Sequence, residues 1–412
     1  MINVKSTRLS NGIRLLHHHD ATTQMVALNL LYDVGARDET CGHTGFAHLF
    51  EHLMFGGSAN IPNFDIPLQE AGGDSNAWTS SDITNFYETI PAHNIETALW
   101  LESDRLNRLA FTQHAFDVQK GVVIEEFKQR CINVPYGDLD HILRAEAYKV
   151  HPYRWPVIGN DISEIENATL DDARDFFYAH YAPNNLIMCI AGNITFDETV
   201  KLVEKWMGDI PMRDIKPRML PLEPKQNAPR RKEVNKQVPQ TVIVKAFHTC
   251  CRNHPDFQSC DIISDILANG NSARFFKNVL MKSDIFTDLD ASVTGSIDPG
   301  LFLIKGRLQE NASIEKAEKA IDFEIQKLIN GDVSSYEIEK YTNKFDSKEC
   351  FENISYSEKA SKLCYYELLS KAEDINTEVD KYKKITPRKI AETAVRLFDK
   401  SNETTIVYGP NI

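Results

Sequence analysis

The stretch "GHTGFAHLFEHLMFGGS" (residues 42–58) places His48, Glu51 and His52 close together in an otherwise apolar segment. On a helix of 3.6 residues per turn, Phe46, Leu49, Phe50 and Leu53 fall at i, i+3, i+4 and i+7 and make one apolar stripe. His48, Glu51 and His52 then share the opposite face. Histidines at i and i+4 stand one above the other with Cβ atoms about 5–6 Å apart, close enough for both imidazoles to hold one metal ion. Zinc accepts neutral imidazole nitrogen, and a catalytic zinc takes three protein ligands and leaves a fourth position for water. Glu51, one turn from His48 and next to His52, is placed to take a proton from that water.

The competing reading is a plain solvated helix face, since composition alone yields H-x-x-E-H by chance in about a few per cent of chains this long. The surroundings favour chemistry: Met54 and Phe55 continue the apolar run, and no Lys or Arg occurs from 43 to 60. The arrangement is that of inverted zinc peptidases. A third ligand is needed, and "FDVQKGVVIEEFKQR" (116–130) offers adjacent Glu125 and Glu126 behind the apolar run Val122–Ile124. Lys128 and Arg130 stand at helical spacing from these two, so either could be a surface ion pair, and spacing does not choose between them. His43 could complete a closed structural site, but Glu51 would then have no purpose.

The elements that must position these groups occur twice. Val26, Leu28, Leu30 and Tyr32 alternate as a strand, the loop "GARDETCGH" follows, and then the motif helix. "TVIVKAF", "HTCCRNHPDF" and "QSCDIISDILA" repeat that order further on. Thr169 and Thr386 stand where helix N-caps belong, and each helix is followed by an apolar strand ending in Gly192 or Gly409. The chain is therefore expected to be an internal duplication of an α+β unit, each copy a mainly antiparallel sheet with helices packed on one face. Pro211, Pro217, Pro221, Pro224, Pro229 and Pro239 mark the junction. The expected division is a catalytic domain over 1–215, a linker over 216–240 and a homologous domain over 241–412. That second copy has no metal site of its own, because Asp261 and Asp265 stand where His48 and His52 do.

The chain resembles the insulinase/pitrilysin family of zinc peptidases, which includes the mitochondrial processing peptidases. The resemblance rests on "GFAHLFEHLMFGGS", "GGDSNAWTSSDITNFYETIPA", "VVIEEFKQR" and the loosely repeated second half, and covers essentially the whole chain. It implies that His48, His52 and Glu126 hold one zinc ion per chain, that Glu51 is the general base, and that Glu125 faces away. It also implies that "NAWTSSDITNFYETI" is a strand beside the metal whose edge pairs with an extended substrate, Asn76 and Ala77 lying nearest the scissile bond. Thr79 to Ile90 are read as structural.

Two departures from the family pattern stand out. Gln119 occupies the place of a second glutamate two turns before the ligand. Its carbonyl can accept an imidazole N–H as a second-shell partner but adds no charge. The second is "NVLMKSDIFTDLDASVTG", which offers Lys282 and no Tyr where active members carry an Arg and a Tyr. The resemblance implies a zinc endopeptidase or oligopeptidase acting on peptides or unfolded segments. The alternative is a non-catalytic peptide-binding or structural subunit of a two-chain complex, against which the intact motif stands. Family members of this length build their chamber from two chains, so a homodimer or a heterodimer with a related chain is expected.

Bulk properties bound these readings. A chain of 412 residues with 42% hydrophobic and 25% charged residues suits two globular domains. The net charge of −13 argues against a nucleic-acid partner. The run "PRRK" (229–232) reads as solvated linker, and the eight cysteines, with no C-x-x-C pair, read as mostly buried thiols. No long apolar window or signal-like N-terminus is present, so the expectation is a cytoplasmic protein without a membrane span, or a periplasmic one if a signal peptide has been removed.

Overall fold

In the computed structural model, which describes residues 1–410, the first six strands form one sheet. They are β1 (Lys5–Arg8), β2 (Arg14–His19), β3 (Met25–Tyr32), β4 (Asp74–Thr79), β5 (Thr84–Pro91) and β6 (Leu186–Gly192), in the order β1-β2-β6-β3-β5-β4. Only β2 and β6 run parallel. The alternation read at β3 has its physical cause here: Val26, Leu28, Leu30 and Tyr32 enter one core with Phe46, Leu49, Phe50 and Leu53 of the helix Phe46–Phe55. Helices Ile95–Asn107, Gln113–Phe127, Leu170–His180 and Phe196–Met207 add their apolar stripes to the same core.

The remaining strands, β7 (Arg230–Lys236), β8 (Val242–His248), β9 (Phe286–Val293), β10 (Leu301–Leu308) and β11 (Glu403–Pro410), form a second sheet in the order β7-β11-β8-β10-β9. Strand for strand this is the first order without β1, and again one pair, β7 with β11, is parallel. The chain is thus an α+β duplication. Thr169 and Thr386 cap equivalent helices, each hydroxyl accepting a backbone N–H at 3.2 Å. The second core joins Ile243, Phe247, Phe302 and Ile304 to helices Phe257–Ala268, Ile314–Ile329 and Pro387–Leu397.

Most helices lie on one face of each sheet, but the other face is not left to solvent. In the first sheet Ala27, Asn29 and Leu31 are buried as fully as their neighbours. The helix Tyr356–Leu369 covers them, with Cys364 Sγ 3.8 Å from the Asn29 carbonyl and 3.6 Å from that of Ile187. In the second, Leu139, Leu143 and Ala147 of the helix Leu139–Ala147 pack on Val242, Val244, Ala246, Ile406 and Tyr408. Central strands apolar on both sides need cover on both sides. As a result the two compact units are not contiguous in sequence. One is Met1–Lys128, Trp155–Leu220 and Glu349–Thr377, and the other Gln129–Arg154, Pro221–Lys348 and Glu378–Ile412.

Three sequence expectations change. Strand β7 lies inside the span 216–240 that was read as linker without regular structure, because its pairing partner β11 is remote in sequence and gives no local signal. The "PRRK" run opens that strand at Arg230 and is exposed at Pro229, Arg231 and Lys232, while Arg230 donates to the carbonyls of Glu146 and Ala147 at 2.7 Å each and so caps the helix Leu139–Ala147. Of the eight cysteines only Cys189, Cys260 and Cys364 are buried. No helix among the described residues is long and apolar enough to cross a membrane.

Candidate metal centre

The motif helix Phe46–Phe55 starts under tight constraint. Gly45 has φ of 86°, and a Cβ there would come within 2.7 Å of Ile165 Cδ1 and 2.9 Å of the Ile158 carbonyl, so only glycine fits. The helix has no side-chain cap from Gly45 itself. Instead the buried Glu39 carboxylate accepts the N–H groups of Gly45 and Ala47, both at 2.9 Å. Burial raises the Glu39 carboxyl well above its ordinary range, while these two hydrogen bonds oppose the rise. Glu164 fixes the preceding residue, accepting both the N–H and the hydroxyl of Thr44 at 2.7 Å. Rigid anchoring of this turn sets where the first histidine can reach.

His48 is buried; Glu51 and His52 are half-buried. The helix Gln113–Phe127, capped by Thr112 and seated in the core through Phe116 and Val123, brings Glu126 to them. Glu126 Oε2 lies 3.6 Å from His48 Nε2 and 3.3 Å from His52 Nε2. The imidazoles stand edge to face with centroids 4.9 Å apart. One ligand atom from each of the three residues lies within 4.8 Å of the others, and no second such group occurs among the described residues. A tetrahedral zinc with bonds of about 2 Å spaces its ligand atoms by about 3.3 Å. Two nitrogens and one carboxylate oxygen at these separations fit that ion.

The neighbouring candidates go elsewhere. Glu125 is exposed and pairs with Lys128 at 2.8 Å. His43 is also exposed and lies 3.9 Å from Asp172, outside the group. Gln119 makes no hydrogen bond to either histidine. Its side chain lies under Gly56 at the end of the motif helix, with Cγ 3.7 Å from where a Cβ would sit. Lys282 is exposed in the turn before β9.

Strand β4 ends its sheet, as an edge on which an extended chain could add. Asn76 and Trp78 point to one face of it. Ala77 and Thr79 point to the other, where Ala77 packs on the core. The Ala77 N–H is held by Asn76 Oδ1 at 2.8 Å, so an incoming carbonyl would have to displace that side chain. Thr79 was read as structural, yet its hydroxyl donates to Glu51 Oε2 at 2.6 Å. The period of two that sets Thr79 on the face of Ala77 was visible in the sequence. Its meeting with Glu51 was not.

The profile of the family described as Insulinase (Peptidase family M16) matches residues 14–160, and that of the Peptidase M16 inactive domain matches 167–345. The Helicobacter pylori protein described as zinc protease PqqE is 29% identical over 342 residues, covering 82% of this chain and 77% of its own length. A crystal structure of a protease from Helicobacter pylori superposes over 100% of both chains with a TM-score of 0.93 and 26% identity. The M16 inactive domain from Pseudomonas fluorescens, at 16% identity, shares the fold alone, with a TM-score of 0.90 over 100% of this chain and 98% of its own.

Proposed function

This chain belongs to the insulinase family of peptidases, and on that premise we propose that it is a zinc-dependent endopeptidase or oligopeptidase. The observation that carries the reading is the convergence of His48, His52 and Glu126 beside a carboxylate, Glu51, held in place by Thr79. His48, His52 and Glu126 would hold the ion. When bound, zinc supplies a positive charge that acidifies water and polarises a peptide carbonyl. Glu51 takes the proton from the attacking water and returns it to the leaving amine. The edge of β4 holds the substrate extended by main-chain hydrogen bonds, Asn76 swinging aside to free the Ala77 N–H.

A non-catalytic subunit is the second reading, favoured by the match of 167–345 to an inactive-domain profile. That match lies outside the motif helix and Glu126. We place the active form in a dimer, a homodimer or a heterodimer with a related chain: the Arg and Tyr of active members have no counterpart around Lys282, so either another residue takes their part or a partner chain supplies them. Hydrolysis of a quenched peptide by the purified chain, lost with a chelator and restored by zinc, supports the enzyme. Absence of hydrolysis by the zinc-loaded protein at every assembly state found by solution mass favours the subunit.

A further inference from the structure

Two pairs of thiols meet in this protein, one in each compact unit. Cys189 of β6 and Cys364 of the helix Tyr356–Leu369 are both buried and hydrogen-bond to each other. Cys364 is also directed at backbone carbonyls. Burial pushes the Cys189 thiol up, which keeps it protonated and inert.

Cys250 and Cys260 differ in access and in polarity. Cys250 sits half-exposed in the loop that leaves β8, and Cys260 is buried in the first turn of the helix Phe257–Ala268. The Thr249 hydroxyl lies 3.3 Å from Cys260 Sγ and 3.9 Å from Cys250 Sγ, so both sulfurs gather around one oxygen. The Cys260 thiol hydrogen-bonds to Cys250, which holds the Cys250 thiol below the ordinary range and pushes that of Cys260 up. The accessible sulfur is thus the nucleophile and the buried one is its neighbour in waiting. His254 and Asp256 are near in sequence, but they do not join the sulfurs as a group of metal ligands.

We propose that Cys250 and Cys260 form an oxidisable dithiol, a modification site at which a low-molecular-weight disulfide exchanges with Cys250 and Cys260 resolves the adduct. In the first step the Cys250 thiolate attacks one sulfur of the disulfide. A Cys250–sulfur bond forms, the small molecule's S–S bond breaks, and one small thiolate leaves and takes up a proton. In the second step Cys260 gives its proton to solvent and attacks the Cys250 sulfur. The internal disulfide forms and the second small thiolate leaves, protonated by solvent. Two electrons pass from the protein to the reagent, and two small thiols are released. The product ties the β8 exit to the first turn of the next helix.

The test uses full-length protein and glutathione disulfide at neutral pH, read by intact mass and peptide mapping. The expected result is a loss of two hydrogens and a peptide linking Cys250 to Cys260, with Cys250 reacting about tenfold or more faster than the exposed Cys41 and Cys350. Cys260→Ser should stop at a stable glutathione adduct on Cys250, and Cys250→Ser should give neither product. Cys189 and Cys364 should stay reduced in the native protein. Reaction first at Cys251, Cys41 or Cys350, or an adduct on Cys250 that persists in the unsubstituted protein, would overturn the proposal. Mapping of the unsubstituted chain decides this even if a variant fails to fold.

Discussion

The helix Phe46–Phe55 and the helix Phe257–Ala268 hold the same place in two copies of one sheet order, yet among the described residues only the first takes part in a group of three side chains that could hold a metal ion. In the first copy two imidazoles and the Glu126 carboxylate converge. In the second copy Asp261 and Asp265 stand at the corresponding positions, and the protein serves them from within. The Tyr382 hydroxyl donates to Asp261 Oδ2 at 2.6 Å. Lys344 donates to the side chain of Asn269, which in turn donates to Asp265. Lys344 and Lys348 add positive charge near the pair. The scaffold is common to both copies, so the difference between them resides in a few side chains and not in the fold.

Making the first copy resemble the second should have the largest effect. His48→Asp combined with His52→Asp is expected to abolish zinc binding, and hydrolysis should fall by more than the roughly 10²–10⁴-fold attributable to general acid–base catalysis alone. Metal analysis alongside a peptide assay checks this, and retained zinc would break the comparison. Next comes Thr79→Val, which removes a hydrogen bond to a carboxylate worth about 1.5–3 kcal/mol. A fall in kcat of about 10–100-fold is expected, with zinc content unchanged and Thr79→Ser close to normal. An equal loss in the valine and serine variants would make Thr79 merely structural.

The second copy gives a smaller effect that depends on pH. Burial raises the Asp265 carboxyl to about 6 from an ordinary 3.8. The folded chain holds this proton more tightly than the unfolded one, so the charged group costs stability above that range, and the cost is relieved as pH falls from about 6 towards 4. Asp265→Asn should therefore stabilise the chain by about 2–3 kcal/mol at neutral pH and far less near pH 4, without touching zinc or turnover. Denaturant melts at the two pH values measure it. An equal gain at both would remove titration as the cause. The smallest effect is expected for Glu125→Gln, next to a ligand yet in an exposed pair with Lys128: a stability change below about 0.5 kcal/mol and normal zinc.

What was legible in the sequence was mostly local. The stripe of Phe46, Leu49, Phe50 and Leu53, the caps at Thr169 and Thr386 and the repeated strand–loop–helix order are set by residues within a few turns, and all appear in the structure. The choice of Glu126 over Glu125 was open on spacing and needed the family resemblance. In the structure Glu126 turns to the histidines and Glu125 to Lys128. What escaped depends on distant partners: β7 on its pairing with β11, the sheet faces covered by helices far off in sequence, and Thr79 on its reach to Glu51. Gln119, placed from the family pattern, lies under Gly56 at the end of the motif helix.

The most direct test of the central claim is Glu51→Gln, with zinc content and peptide hydrolysis measured on one sample. The carboxamide keeps the shape but cannot accept the proton, so zinc should match the unsubstituted protein while turnover falls by about 10²–10⁴-fold. Loss of zinc together with activity would make Glu51 a part of the metal's binding, and normal turnover would remove it from the chemistry. Either result would contradict the division of labour drawn here between His48, His52 and Glu126 on one side and Glu51 on the other.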